Sequence, residues 1–202
     1  MMKEFWNDRF AADEYIYGVQ PNAFFASRLN QIKPGKLLLP GEGEGRNAVW
    51  ATQVGWEVDA IDYSETAKAK ALKLAELNQL RLNSYQIMDL NEFQISKSDY
   101  DAIGLVFVHL LPAERSQLHR KLARALKPGG SIILEAFSTD QLQYQSGGPR
   151  NPLMLYNADL LSEDFSSLEI VLLEQKVVIL EEGEHHTGEA AVIRLMATKP
   201  VV

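Results

Sequence analysis

Glycines stand at every second position in the run Gly41-Glu42-Gly43-Glu44-Gly45, which follows Leu37-Leu38-Leu39-Pro40 and leads into Arg46-Asn47-Ala48. That spacing lets a backbone turn sharply and lets a ligand approach the main chain where a Cβ would block it. The run reads as a buried strand, a tight turn and the start of a helix. A helix start presents unpaired N–H groups and partial positive charge, so it favours anionic groups. The two glutamates change which ligand suits it. A dinucleotide pyrophosphate would meet both carboxylates at close range. S-adenosylmethionine, with one carboxylate, an ammonium and a sulfonium, meets no such repulsion.

Other residues of chemical interest are spread along the chain. Asp62 lies about twenty residues beyond the loop, where an acid that binds ribose hydroxyls is expected. An ionised carboxylate offers two acceptors that match the two donors of a ribose diol. Its alternative role is to cap the next helix. Asp89 is a second acid of this kind, or an ordinary turn residue. His109 follows the most apolar stretch and should face the crevice at the sheet's carboxyl edge. Three readings of it stay open: a base, a packing partner of the cofactor, or a partly buried histidine with no chemical task. Tyr15, Tyr17 and Gly18, before Gln20-Pro21, suit a lid whose aromatic ring faces a sulfonium. Trp6, Phe10, Phe24 and Phe25 are expected mainly to pack an N-terminal helix on the core. Arg150 and Tyr156 are candidate substrate contacts or, equally, solvated loop residues. His185 and His186 are read as a solvated turn and not a metal site, because adjacent side chains in a hairpin diverge.

These residues need elements to hold them. From Arg46 to about Val54 the chain suits a helix that stops at Gly55. Glu57 to Asp62 alternates as a strand, and Ala67, Ala71 and Leu74 share one face of the helix begun near Tyr63 or Ser64. A short strand near Tyr85-Gln86-Ile87 leads to Met88-Asp89-Leu90. Ala102 to Val108 is apolar throughout, as a strand covered on both faces should be. Pro112 opens a helix with Leu118, Leu122 and Leu126 as its stripe. Lys127-Pro128-Gly129-Gly130 should end that helix before a strand from Ser131 to Phe137. The alternation implies a parallel sheet with helices on both faces. Gln141 to Asn157 reads as a long loop. Leu168–Leu180 and Ala190–Thr198 should form an antiparallel hairpin at one sheet edge, joined by residues 181 to 188.

The chain has 202 residues, 46% of them hydrophobic, and a formal net charge of −7. It is long enough for one sizeable core, and residues 1–202 are expected to form a single domain. Its segments would be an N-terminal helical lid over 1–30, a cofactor-binding core over 36–137, and a loop, helix and hairpin over 138–202. The acidic balance shows no footprint for nucleic acid or anionic lipid. There is no cysteine, so disulfides, thiolate metal sites and a cysteine nucleophile are excluded, and a reducing cytoplasmic setting is expected. The N-terminus is too interrupted by charge for a signal peptide. The most apolar run, Ala102 to Pro112, is far short of the roughly 20 residues that span a bilayer.

Four motifs in order, Leu-Pro-Gly-Glu-Gly-Glu-Gly-Arg-Asn at 39–47, Ala-Ile-Asp-Tyr-Ser at 60–64, Met-Asp-Leu at 88–90 and Leu-Lys-Pro-Gly-Gly at 126–130, resemble those of class I S-adenosylmethionine-dependent methyltransferases. The chain is similar in particular to the small methyltransferases related to tellurite-resistance and thiopurine-methylating enzymes. The resemblance runs from about Tyr15 to Thr198. It implies an α/β fold: a Rossmann-like, seven-stranded, mostly parallel sheet with helices on both faces and a C-terminal antiparallel hairpin. It further implies S-adenosylmethionine as cofactor, held by Tyr17, Gly41, Glu42, Gly43, Gly45, Arg46, Asp62, Tyr63, Ser64, Asp89, Leu90 and Phe107. The three loop glycines would wrap the methionine part, Asp62 the ribose, and Asp89 with the Leu90 backbone the adenine edge. Two departures stand out. Leu39 occupies a position often acidic in the family, and Glu42 one that is often small.

The expected reaction is in-line methyl transfer to a small-molecule acceptor, with donor and acceptor held about 3–3.5 Å apart and water excluded. A soft anionic acceptor needs no strong base, whereas an oxygen or nitrogen acceptor does, and His109 is then the candidate. Two alternatives remain. A nicotinamide-dependent oxidoreductase is disfavoured by Arg46 at the third glycine position of that fingerprint. A non-catalytic nucleoside-binding protein is not excluded by any residue. Acceptor identity and oligomeric state are left open.

Overall fold

The computed structural model describes residues 2–94 and 98–201. Leu37 and Leu39 point to one face of strand β1 (Lys36–Pro40) and Leu38 to the other, and all three are buried. Strand β2 (Glu57–Asp62) pairs in parallel with β1 and, on its far side, with β3 (Ser84–Ile87). Strand β4 (Tyr100–Val106) lies on β1's other side and β5 (Leu126–Phe137) follows it, both parallel. The hairpin of β6 (Glu169–Glu181) and β7 (Thr187–Thr198) completes a seven-stranded sheet in the order β3-β2-β1-β4-β5-β7-β6. Only β7 runs against the others, as the resemblance implies.

Helices α2 (Ala23–Leu29), α3 (Arg46–Gln53) and α4 (Glu65–Leu77) cover one face through Phe25, Leu29, Ala48, Ala51, Ala71 and Leu74. Helices α5 (Pro112–Ala125) and α6 (Ala158–Asp164) cover the other through Leu118, Leu122, Leu161 and Phe165. Full burial of each large apolar side chain contributes about 1.5–3 kcal/mol. Helix α4 starts as its sequence dictates: Ser64 caps it by accepting from the Ala67 N–H (3.1 Å), and Ala67, Ala71 and Leu74 are buried. Such a cap is worth about 1 kcal/mol. Helix α1 (Met2–Arg9) lies at the start of α4, where Asn7 accepts from the Ser64 hydroxyl (2.7 Å) and Lys3 pairs with Glu65 (2.7 Å). Among the described residues no helix is long and apolar enough to cross a membrane.

Three boundaries differ from expectation. Strand β4 stops at Val106 because Phe107 adopts φ +53° and turns the chain out of the sheet. Helix α5 ends at Ala125, so Leu126 contributes to the core from β5. The Lys-Pro-Gly-Gly segment belongs to β5 as well. A register shift separates the Tyr100–Leu126 pair from Ala102–Ser131, and Gly129 and Gly130 exchange backbone hydrogen bonds with Lys199. Residues 141–157 are not irregular throughout, since 3-10 turns at Thr139–Gln143 and Pro152–Met154 punctuate them.

Candidate functional site

The carboxyl ends of β1, β2, β4 and β5, with the turn after β3, open onto one cavity of about 440 Å³. It sits where the strand order reverses between β1 and β4, the place where open α/β sheets hold ligands. The glycine loop forms one wall. Gly41 has φ +67°, and a Cβ there would stand 2.9 Å from Val108 Cγ2, so the turn requires glycine. The Gly43 N–H donates to Asp62 Oδ2 (3.0 Å) and its carbonyl accepts from the Tyr85 hydroxyl (2.6 Å). Gly45 serves a different contact. Its φ is +91°, and a Cβ would lie 2.6 Å from that of Ala71, so glycine lets α3 approach α4.

Glu42 turns back onto the start of α3 and accepts from the Ala48 N–H (2.7 Å). The anionic place at this helix start is therefore filled from within the chain, and a pyrophosphate would have to displace it. Burial pushes the Glu42 carboxyl up to about 7, so near neutrality its charge answers to a ligand. Asp62, at the end of β2, accepts from Gly43 and from the Ser64 N–H (2.9 Å); burial raises its pKa above the usual carboxylate range. Asp89 is exposed at the cavity mouth in a turn closed by the Asn91 N–H (2.9 Å), with Leu90 beside it. The lining includes Glu42, Glu44, Asp62, Asp89 and Glu114 but only Arg9 and Arg46 as cations. Arg46 is neutralised by Glu182 (2.8 Å) and Glu44 by Lys70 (2.5 Å), which leaves Glu42, Asp62, Asp89 and Glu114 facing Arg9. A ligand bearing positive charge suits this wall.

The opposite wall is aromatic. The ring of Phe107, aimed by its left-handed backbone, lies 4.6 Å from that of Phe137 and 4.5 Å from His186. A bulky residue at positive φ is strained by roughly 1–3 kcal/mol and is typical of sites where orientation matters. Tyr17 stands 4.5 Å from His186 on the other side. Helix α1 contributes Phe5, Trp6 and Arg9, and Phe10 follows it, so Trp6 and Phe10 line the cavity and do more than pack on the core. Phe24 and Phe25 are core residues, as expected.

His186 departs most from expectation. It is not solvated but 6% exposed, and it lines the cavity. The hairpin tip folds inward here: Nδ1 faces Glu182 Oε2 (3.4 Å), while Nε2 has no hydrogen-bond partner among the described residues. His185 is exposed, as expected of a turn. Burial lowers the pKa of His186, offset in part by Glu182. Burial opposes ionisation of Glu182, but His186 and Arg46 outweigh it and hold the carboxyl near 2. Asn22 joins this group to the sheet, donating to Glu182 Oε1 (2.8 Å) and Glu135 Oε1 (2.7 Å). His109 also lines the cavity, but both its nitrogens are committed. Nε2 accepts from the Phe137 N–H (3.2 Å), which makes Nδ1 the donor to the Met154 carbonyl (2.7 Å). Burial pushes its pKa down to about 4.

Of the anticipated residues, Tyr17, Gly41, Glu42, Gly43, Arg46, Asp62, Tyr63, Asp89, Leu90, Phe107 and His109 line this cavity. Gly45, Ser64, Arg150 and Tyr156 are not among its lining residues. Ser64 is the α4 cap described above. Arg150 is exposed and bonds to the Tyr144 carbonyl (3.1 Å) and to Gln145. Tyr156 is buried; its hydroxyl donates to Val108 O (2.7 Å) and accepts from the Leu110 N–H (3.2 Å), so it holds the loop after β4 from behind. Sequence reasoning did not single out Phe137, Met154, Glu182 or His186 as site residues. Only topology reveals that the tip between β6 and β7 reaches the loop after β1.

Among the described residues no group of three or more histidine and acidic side chains could hold a metal ion. The architecture is the fold of class I S-adenosylmethionine-dependent methyltransferases. The family model described as tellurite resistance protein TehB matches residues 8–179, and the chain belongs to that family. It is 26% identical over 174 residues to hemagglutinin 1 of Eikenella corrodens, covering 84% of this chain but only 56% of that relative. It is 25% identical over 203 residues to the thiopurine S-methyltransferase of Vibrio atlanticus (strain LGP32), covering 90% of this chain and 88% of the relative. The structure of the N-methyltransferase NodS from Bradyrhizobium japonicum with S-adenosyl-l-homocysteine superposes with a TM-score of 0.72. It is 13% identical, and 98% of each chain is covered.

Proposed function

We propose that this chain transfers the methyl group of S-adenosylmethionine, in line, to a small acceptor with an apolar or aromatic body. The observation that carries the reading is the division of one cavity into an acidic, glycine-walled half and an aromatic half. The acidic half fits the donor: Gly41 leaves room for the methionine backbone, Glu42 suits an ammonium, and Asp62 suits a ribose diol. Asp89 and Leu90 stand at the adenine end. NodS, whose fold this chain shares, is known in complex with S-adenosyl-l-homocysteine, which supports the choice of donor. When bound, the donor supplies an electrophilic methyl on a sulfonium. The chain's own task is alignment and exclusion of water.

The aromatic half is the acceptor side. Phe107, Phe137 and Met154 offer apolar contact area. His186 is the better-placed base, because Nε2 has no partner among the described residues while Glu182 orients the ring through Nδ1. His109 is read here as a neutral brace between Phe137 and Met154. A chain without cysteine suits a cytoplasmic setting, and the acceptor is free in solution and not a nucleic acid.

The reading is tested by calorimetric titration with S-adenosylmethionine, S-adenosylhomocysteine and NAD, then by an acceptor screen led by aromatic thiols. Saturable binding of both sulfur ligands but not NAD, with methylation of an apolar acceptor, is the expected result. Binding of NAD alone would overturn the donor, and turnover confined to oxyanions would overturn the acceptor class.

A further inference from the structure

The strand β6 is thirteen residues long and forms one free edge of the sheet. Soluble proteins usually shorten, charge or cover such an edge. The opposite edge obeys: β3 has four residues. Along β6, by contrast, Val171 is 61% exposed, Val177 50% and Ile179 64%. These are branched apolar residues on a strand whose outward N–H and C=O groups have no neighbour in the sheet.

The sequence of β6 is complementary to itself about its centre. When two copies are laid antiparallel with Gln175 opposite Gln175, Glu174 of each meets Lys176 of the other. Leu173 then meets Val177 and Leu172 meets Val178, while Val171 lies just beyond, where β6 shifts register against β7. Moving the two-fold centre by one residue either way, a slip of two residues in the pairing, sets Glu174 against its own copy or Lys176 against its own, and like charges directly opposite are destabilising. Within one chain the Glu174–Lys176 contact is long, 3.6 Å, and both side chains are well exposed. Glu169 and Glu181 face each other only at the two ends, at the solvated rim. A two-fold axis demands such a self-matching surface.

We propose that β6 is a dimerisation edge, pairing antiparallel with β6 of a second copy of this chain so that the two sheets become continuous. The outward backbone groups are satisfied by the partner, the apolar residues are covered on one face, and the two Glu174–Lys176 pairs set the register on the other.

Sedimentation of the full chain across a concentration series tests this. The wild type should sediment as a dimer in reversible exchange with monomer. E174K and K176E should each weaken association by about tenfold or more, because each places two like-charge pairs across the axis. The double variant E174K/K176E should recover it, and I179K should abolish it while circular dichroism stays native. A wild type that is monomeric throughout overturns the proposal. So does a dimer unmoved by both E174K and I179K, which would join through another face.

Discussion

Asp62 is the residue on which the donor reading can be tested most directly. Its carboxylate is buried at a strand end, bonded to two backbone N–H groups, and still lines the cavity. A hydrogen bond to a charged group is worth about 1.5–3 kcal/mol, so D62A should weaken S-adenosylmethionine binding by roughly tenfold to a hundredfold in calorimetry. Unchanged affinity would remove Asp62 from the ribose site. His186 bears on the acceptor step. H186A should lower kcat by about 10²–10⁴ for an acceptor that must lose a proton, with donor affinity nearly unchanged. Since burial keeps His186 below the ordinary histidine value, its base form is filled at neutral pH, and the wild-type rate should fall only in acid. H109A should leave that pH profile in place; loss of the acid limb in H109A would reverse the two roles. Asp62 was legible because it ends an alternating strand at a fixed distance past a glycine loop. His186 was not, since nothing local distinguishes an inward-folded hairpin tip from a solvated one.

At the scale of elements, the glycine loop shows two demands met by one residue type. Gly41 shapes a wall of the cavity, while Gly45 sets the distance between α3 and α4. G45V would bring a Cβ within 2.6 Å of Ala71 at a left-handed φ. Strain and overpacking together should destabilise the fold by about 2–4 kcal/mol, read as a lower urea midpoint. A midpoint unchanged from the wild type would mean that α3 and α4 part without loss. Strand and helix cores were readable from period, as in Leu37-Leu38-Leu39 and in Ala67, Ala71 and Leu74. The failures came at junctions. Helix α5 and strand β5 meet without a loop because Leu126 already pairs with Tyr100, and a Lys-Pro-Gly-Gly run looks like a stop whether it lies between elements or inside a bulged strand. Phe107 is a similar case, since a phenylalanine at positive φ has no local signature.

The whole molecule carries a balance of buried titratable groups that should appear in its stability. His109, His119 and His186 are all buried with pKa values below the usual histidine range, His109 near 4. Below about 6.5 the unfolded chain takes up protons on these residues that the folded chain refuses, so each contributes stability above that pH and loses it as the pH falls toward its folded value. Glu42 works the other way. Its folded value of about 7 lies above the 4.5 of the unfolded chain, so its contribution is complete below 4.5 and is lost as the pH rises through 7. Between about 5 and 6.5 His109 and Glu42 oppose one another: each changes the unfolding free energy by up to about 1.4 kcal/mol per pH unit, His109 downward on acidification and Glu42 upward. On acidification over that interval E42Q should therefore lose more stability than the wild type, and H109N less. Urea midpoints taken across the interval decide the matter. An H109N slope equal to the wild type's would show that His109 protonates in the folded state, which would require the walls of the cavity to admit water around it.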